Sequence, residues 1–268
     1  MEPLLRWETP LEGSSLTGAV WVFTRSGSTW TQRQRIVGTG FLGGNPREGS
    51  SVAVSSDGST IAFGGYTDDS INTGAGAVWV WYGGGGSWSQ QTKLVGQGSA
   101  LLGPAGALAI SGDGNTLIAG GPNWMNTLNT QGGAWVWSRS GSTWTSQGGS
   151  SQYGGVLSSA PQVGGAEGFS VSISADGNTA AISMTNNNTT GGFFVWTRSG
   201  STWTKFTPSE LTGTGATGQA VQGRSIAISG NGTTIAIGGS NDNTIHGAEW
   251  VFLRVLLPTN TRRVILVN

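Results

Sequence analysis

One histidine, no cysteine and thirteen acidic residues are the groups with which this sequence of 268 residues would do chemistry. Without thiols there is no cysteine nucleophile, thiolate metal site or disulfide. His246 precedes a glycine and has Asp242 and Glu249 as its nearest acids, which reads as a loop histidine. No nucleophile-elbow sequence marks a serine for it to activate. The acids fall in two settings. Asp57, Asp113 and Asp176 each stand before a glycine, where a fourth copy of the same segment has Asn231. One carboxylate per loop is turn chemistry, because calcium takes six to eight oxygens, several of them carboxylates of one loop. Asp68 and Asp69 are the better calcium candidates, followed by Asp242 between Asn241 and Asn243. The equivalent Asn186 to Asn188 carries no acid. The run Gly83 to Gly86 lacks the Lys-Ser/Thr ending of a phosphate loop and reads as a loose turn. The expectation is a protein that is not an enzyme and holds no cofactor, with calcium the one ion to test.

Tryptophan is the other conspicuous resource, at 13 residues. Trp30, Trp88, Trp144 and Trp203 recur at one place in a repeated segment. Two roles fit them: packing between sheets, or a series of exposed platforms stacking on sugar rings, whose linkage would raise avidity. Trp124 lies outside the repeat in a loop, with Tyr66 at a comparable place one repeat earlier. These six aromatics are the candidate ligand-binding residues.

The elements that must position these groups are repeats. The stretch GAVWVFTRSGSTWTQ from Gly18 returns from Gly76, Gly132 and Gly191, and in truncated form from Gly247. Aligned on Trp21, Trp79, Trp135, Phe194 and Trp250, the copies are 58, 56, 59 and 56 residues apart. Between them lies a second unit, SVAVSSDGSTIAFGG from Ser51, with copies from Ala107, Ser170 and Ser225. Asp-Gly or Asn-Gly between two apolar alternating runs specifies a β-hairpin, since glycine takes positive φ at no steric cost. AVWVF, the RSGS turn and the return run from Trp30 make a second hairpin. Each period thus holds four antiparallel strands, and no segment has helical spacing of apolar residues. The sequence predicts an all-β fold, a five-bladed β-propeller of four-stranded antiparallel blades forming a single domain over residues 1–268. Residues 1 to 17 lack an Asp-Gly hairpin, although Leu4 to Trp7 suit one strand, and Thr259 stands where the last copy needs a tryptophan. The ring is therefore expected to close by pairing Val264 to Val267, or Val255 to Leu257, with the N-terminal strands. A piece of a longer array, cut at both ends, explains the same pattern.

Thirteen basic and thirteen acidic residues give no net charge and form no block, which removes the electrostatic basis for nucleic acid or an acidic membrane surface as partner. No run approaches the ~18 apolar residues of a membrane span, and the start has no basic region followed by an apolar run. A monomer is expected. The sequons at Asn187, Asn188 and Asn231 arise readily in Asn/Thr-rich loops and carry no weight.

The order GxSVAxSxDGNTxAxGG, an Asn/Asp loop, GAVWVFTRSGSTWTQ and a KLVG ending resembles the FG-GAP repeats of surface proteins, relatives of the integrin alpha-chain propeller. The resemblance covers most of the chain. It implies a non-catalytic interaction domain at an extracellular or cell-surface location, with a protein or glycan ligand. The chain departs from the family where Glu48, Ala105, Glu167 and Gln222 stand in place of a phenylalanine, and where Ser183-Met184 replaces a small-residue ending. The function expected is recognition without chemistry. The alternatives are a multivalent carbohydrate-binding lectin and a fragment of a longer surface-protein array.

Overall fold

A computed structural model describes residues 17–43, 46–68, 76–96, 107–122, 132–147, 156–159, 166–185, 190–206 and 210–254, together with the backbone of 3–7 and 266–267. The described residues form five antiparallel sheets in chain order. The first is β1 (Pro3–Trp7), β2 (Val20–Ser26) and β3 (Thr29–Ile36). The second is β4 (Glu48–Val54), β5 (Thr60–Gly65), β6 (Ala77–Gly84) and β7 (Ser87–Leu94). The third is β8 (Leu108–Ile110), β9 (Thr116–Gly120), β10 (Ala134–Ser140) and β11 (Thr143–Gln147), with β12 (Val156–Leu157) also on β10. The fourth is β13 (Glu167–Ile173), β14 (Thr179–Met184), β15 (Gly192–Ser199) and β16 (Thr202–Lys205). The fifth is β17 (Gln222–Ile228), β18 (Thr234–Gly239), β19 (Ala248–Arg254) and β20 (Leu266–Val267).

The predicted hairpins form where the turn chemistry puts them. Gly58, Gly114, Gly177 and Gly232 take φ between 68° and 73°, the left-handed conformation that a β-carbon disfavours. In the second hairpin Ser26 pairs with Thr29 and Arg25 with Trp30, leaving Gly27-Ser28 as a two-residue turn that its copies repeat. Register shifts between Glu48 and Ser51, Glu167 and Val171, and Gln222 and Ser225 bend the first strand of three sheets.

Consecutive sheets pack face to face, and the period-2 alternation of the third strands decides which residues meet. Val20 and Val22 contact Ile61, Phe63 and Trp79 of the second sheet. Val78 and Val80 contact Leu117, Ala119 and Trp135 of the third. Ala134 and Val136 meet Ile182 and Phe194 of the fourth, and Phe193 and Val195 meet Ile237 and Phe252 of the fifth. One face of each third strand thus covers the next sheet, and the aromatic face receives the previous one. Backbone bonds repeat the linkage: Ser56 donates to Gly112 at 3.0 Å, Gly112 to Ala175 at 2.9 Å and Ala175 to Gly230 at 2.8 Å. Parallel bridges join Gly18 to Glu48, Gly132 to Glu167 and Gly191 to Gln222.

The array ends break the symmetry. Val22, Val80, Val136 and Val195 are buried, whereas Val251, at the same place in the fifth sheet, is 47% exposed. The expected latch through Val264 to Val267 is corrected: Leu266 and Val267 pair with Arg254 and Leu253, completing the fifth sheet, and β1 pairs with β2. The C-terminal strand follows the local rule that a fourth strand adds to the third strand of its own sheet. Val255 to Val264 lie outside the described residues. No helix among the described residues is long and apolar enough to cross a membrane.

Candidate functional site

In the second, third and fourth sheets antiparallel order places both tight turns at one end, and both the loop after the second strand and the connection to the next sheet at the other. The turn end is closed on itself. Asp57 accepts from Ser55 Oγ at 2.6 Å and from the Ser59 N–H at 2.9 Å. Asp113 takes Ser111 Oγ at 2.5 Å and the Asn115 N–H at 2.9 Å, and Asp176 takes Ser174 Oγ and the Asn178 N–H at 3.0 Å. Asn231 does the same with Ser229 Oγ and the Thr233 N–H. The Ser55 hydroxyl holds Asp57 below the usual carboxylate range. Partial burial pushes Asp113 and Asp176 up, but the hydrogen bonds outweigh it and the net direction is down. These carboxylates are committed to their turns, as their Asp-Gly setting predicts.

The loop end is built around residues that the sequence marked only as departures. Glu48, Glu167 and Gln222 open the first strands of the second, fourth and fifth sheets, and all three are buried. Glu48 Oε2 accepts the Gly38 N–H at 2.7 Å, and Glu167 Oε2 accepts the Ser159 N–H and hydroxyl, both at 2.8 Å. Gln222 Oε1 accepts the Gly213 N–H at 2.6 Å while its Nε2 donates to Gly213 O at 3.0 Å. Each clamps the connection that arrives from the preceding sheet. Burial pushes the Glu48 carboxyl up to about 8 against the Gly38 bond, with Asp68 raising it further and Lys93 and Arg35 opposing. Burial pushes Glu167 up to about 7 against the Ser159 and Ser158 bonds and Lys205. Glu48 Oε1 and Glu167 Oε1 have no hydrogen-bond partner. The signal in the sequence was an acid or amide before glycine at the head of a first strand; its burial follows from the bridge to the neighbouring sheet.

Of the calcium candidates, Asp68 is buried and ion-paired, with Lys93 Nζ 2.9 and 3.0 Å from its two oxygens. That ammonium also donates to Gly40 O at 2.7 Å and sits 5.4 Å from the Trp79 ring. The position beside Asp68 is thus filled by a cation from the chain itself. Asp242 opens a short 3-10 helix, Asp242–Ile245, and its Oδ1 accepts the Thr217 N–H at 2.6 Å, the counterpart of Asp68 Oδ2 accepting from Leu42. Asp69 lies outside the described residues. No group of three metal-ligating side chains occurs among the described residues. His246 is exposed, with Nδ1 3.0 Å from Asn243 O.

The tryptophan series splits by position in the array. Trp88 and Trp203 are buried against the preceding sheet, and Trp144 is half-buried with Nε1 donating to Gln91 at 2.7 Å. Of the four only Trp30 is exposed, at 40%; its sheet is the first of the five described. The four do not form a set of exposed platforms. Arg25, Arg139 and Arg198 stand 5.9, 5.3 and 5.5 Å from the rings of Trp30, Trp144 and Trp203, occupying faces a sugar would need. Trp124 lies outside the described residues. Tyr66 is half-buried at the loop end, where its hydroxyl accepts from Arg47, whose guanidinium lies 5.3 Å from the ring. Leu42 beside it is exposed.

No family model and no curated protein matches the chain. Solved structures do. A Lactobacillus plantarum protein superposes with a TM-score of 0.58 at 14% identity, over 98% of this chain and 67% of its own. TolB from Acinetobacter baumannii gives 0.46 at 13% identity, over 98% of this chain, which spans only 52% of its length. The β-propeller domain of the Trilobed protease from Pyrococcus furiosus gives 0.45 at 8% identity, over 99% of this chain and 67% of its own. At these identities the likeness concerns fold.

Proposed function

We propose that the chain is a propeller-type interaction module of five blades that recognises a protein or glycan ligand at its loop end and performs no reaction. The commitment of the repeat's acids carries this reading: those at the turns are bound to turn donors, Glu48 and Glu167 clamp connections, and Asp68 neutralises Lys93. Among the described residues the loop end offers exposed Leu42 and the half-buried Arg47–Tyr66 pair, a mixed apolar and polar surface suited to recognition. The FG-GAP resemblance supports the same reading and an extracellular or cell-surface setting.

The test is a glycan array probed with labelled chain, with and without EDTA, beside hydrolysis assays on lactones and glycosides. Saturable binding lost in Tyr66→Ala and Leu42→Ala, but kept in Trp30→Ala, supports loop-end recognition of glycans. A blank array directs the search to protein ligands. Turnover above the uncatalysed rate overturns the reading, and binding abolished by EDTA restores calcium.

A further inference from the structure

The two terminal sheets expose halves of an interface that the molecule makes four times within itself. At each internal junction one face of a sheet's central strand meets the aromatic face of the next sheet, and in the second and fourth sheets cations overlie the rings: Lys93 at 5.4 Å from Trp79, Arg198 at 5.5 Å from Trp203 and Lys205 at 5.1 Å from Phe194. The fifth sheet leaves its aliphatic face uncovered, with Val251 47% and Leu253 48% exposed, Ala227 exposed, and Ala236 half-buried beside Val251. The first sheet leaves its aromatic face uncovered: Trp21 and Phe23 are half-buried, Trp30 is exposed, and Arg35 and Arg25 stand 5.5 and 5.9 Å from Trp21 and Trp30.

Charge matches shape. Where the other four sheets have Val20, Val78, Ala134 and Phe193, the fifth has Glu249, exposed on the aliphatic face. The first sheet's face carries the exposed Arg25 and Arg35. We propose that the outer face of the fifth sheet docks the outer face of the first sheet of a second copy of this chain, head to tail. The contact repeats between molecules the one that joins sheets within a molecule, with Glu249 set against Arg25 and Arg35. Such a heterologous contact uses different surfaces on the two partners, so it propagates into open arrays or closes only when the rotation permits. This inference goes beyond ligand recognition and fails separately from it: a chain that binds nothing at its loop end can still assemble, and a monomer can still bind.

Sedimentation velocity over a concentration series, with low and high salt, tests it. One variant carries Val251→Glu and Leu253→Lys; a second carries Arg25→Glu and Arg35→Glu. All four side chains are exposed, so melting temperatures equal to the wild type are expected. The wild type is expected to form dimers and longer species with rising concentration, weakened by salt, and each variant alone to stay monomeric with association at least ~10-fold weaker. An equimolar mixture of the two retains one intact pair of faces and is expected to stop at the dimer. A wild type monomeric throughout overturns the proposal, as does an assembly that survives both sets of substitutions. A monomer that melts lower when Leu253→Lys is introduced also overturns it, by placing the chain's own first sheet on the fifth.

Discussion

Replacing Glu48 and Glu167 by glutamine is expected to abolish a loss of stability that the native chain suffers as pH rises. Both carboxyls are buried and titrate above the ordinary glutamate value of 4.5, at about 8 and about 7. Because the folded state holds these protons more tightly than the unfolded chain, stability is complete below the unfolded value and falls as pH climbs through the folded ones. For Glu48 the shift from 4.5 to about 8 corresponds to at most about 5 kcal/mol, at ~1.4 kcal/mol per unit. Relaxation and water entry reduce such penalties, so ~2–3 kcal/mol is the expected loss between acid and alkaline conditions. Gln222 shows that a neutral amide fits this place, accepting from the Gly213 N–H and donating back to its carbonyl. Urea titrations at pH 5, 7 and 9 read the effect. Wild type is expected to weaken from pH 5 to 9, Glu48→Gln to weaken between pH 5 and 7 and then hold level, and the double variant to be nearly flat. A double variant that follows the wild-type slope, or a wild type that gains stability with pH, refutes the reasoning.

Four smaller perturbations probe the same construction. Val221 has φ 51°, costly for a β-branched residue, so Val221→Gly should raise stability by about 1 kcal/mol in the same titration. A β-carbon on Gly213 would lie 2.1 Å from the Trp250 ring, which is held by a 2.8 Å bond to Thr214 O; Gly213→Ala should cost ~2–3 kcal/mol. The turn glycine Gly27, at φ 57° with nothing within 4 Å, should cost only ~1 kcal/mol when replaced by alanine. Lys93→Met strips the partner from buried Asp68 and should cost ~3 kcal/mol, much of it recovered by adding Asp68→Asn.

Strands, hairpins and period were legible because the local chemistry that makes them, Asp-Gly turns and two-residue alternation, repeats in the text of the chain. Leu4 to Trp7 was readable as a strand even without an Asp-Gly hairpin beside it. What could not be read is what depends on a neighbour. Trp30 and Trp88 sit in near-identical segments, yet one is exposed and the other is buried against the first sheet's Val20 and Val22. Glu48 and Glu167 stood out only as departures from a phenylalanine, because the backbone donors they satisfy come from connections ten and eight residues upstream. Asp68 looked free to bind calcium until the fold brought Lys93, 25 residues away, onto both its oxygens. The pairing of Leu266 and Val267 with their own sheet was hidden by the loss of repeat pattern in the tail.

The serial covering of each aliphatic face by the next sheet underlies the whole account, and the absence of native cysteine allows it to be tested directly. Single cysteines placed at Val22, Val80, Val136, Val195 and Val251 should be titrated with a thiol reagent under native, dilute conditions. The account predicts fast labelling at position 251 and protection at the other four, released only on unfolding. Rapid labelling at Val80 or Val136, or protection at Val251 equal to theirs, would contradict it.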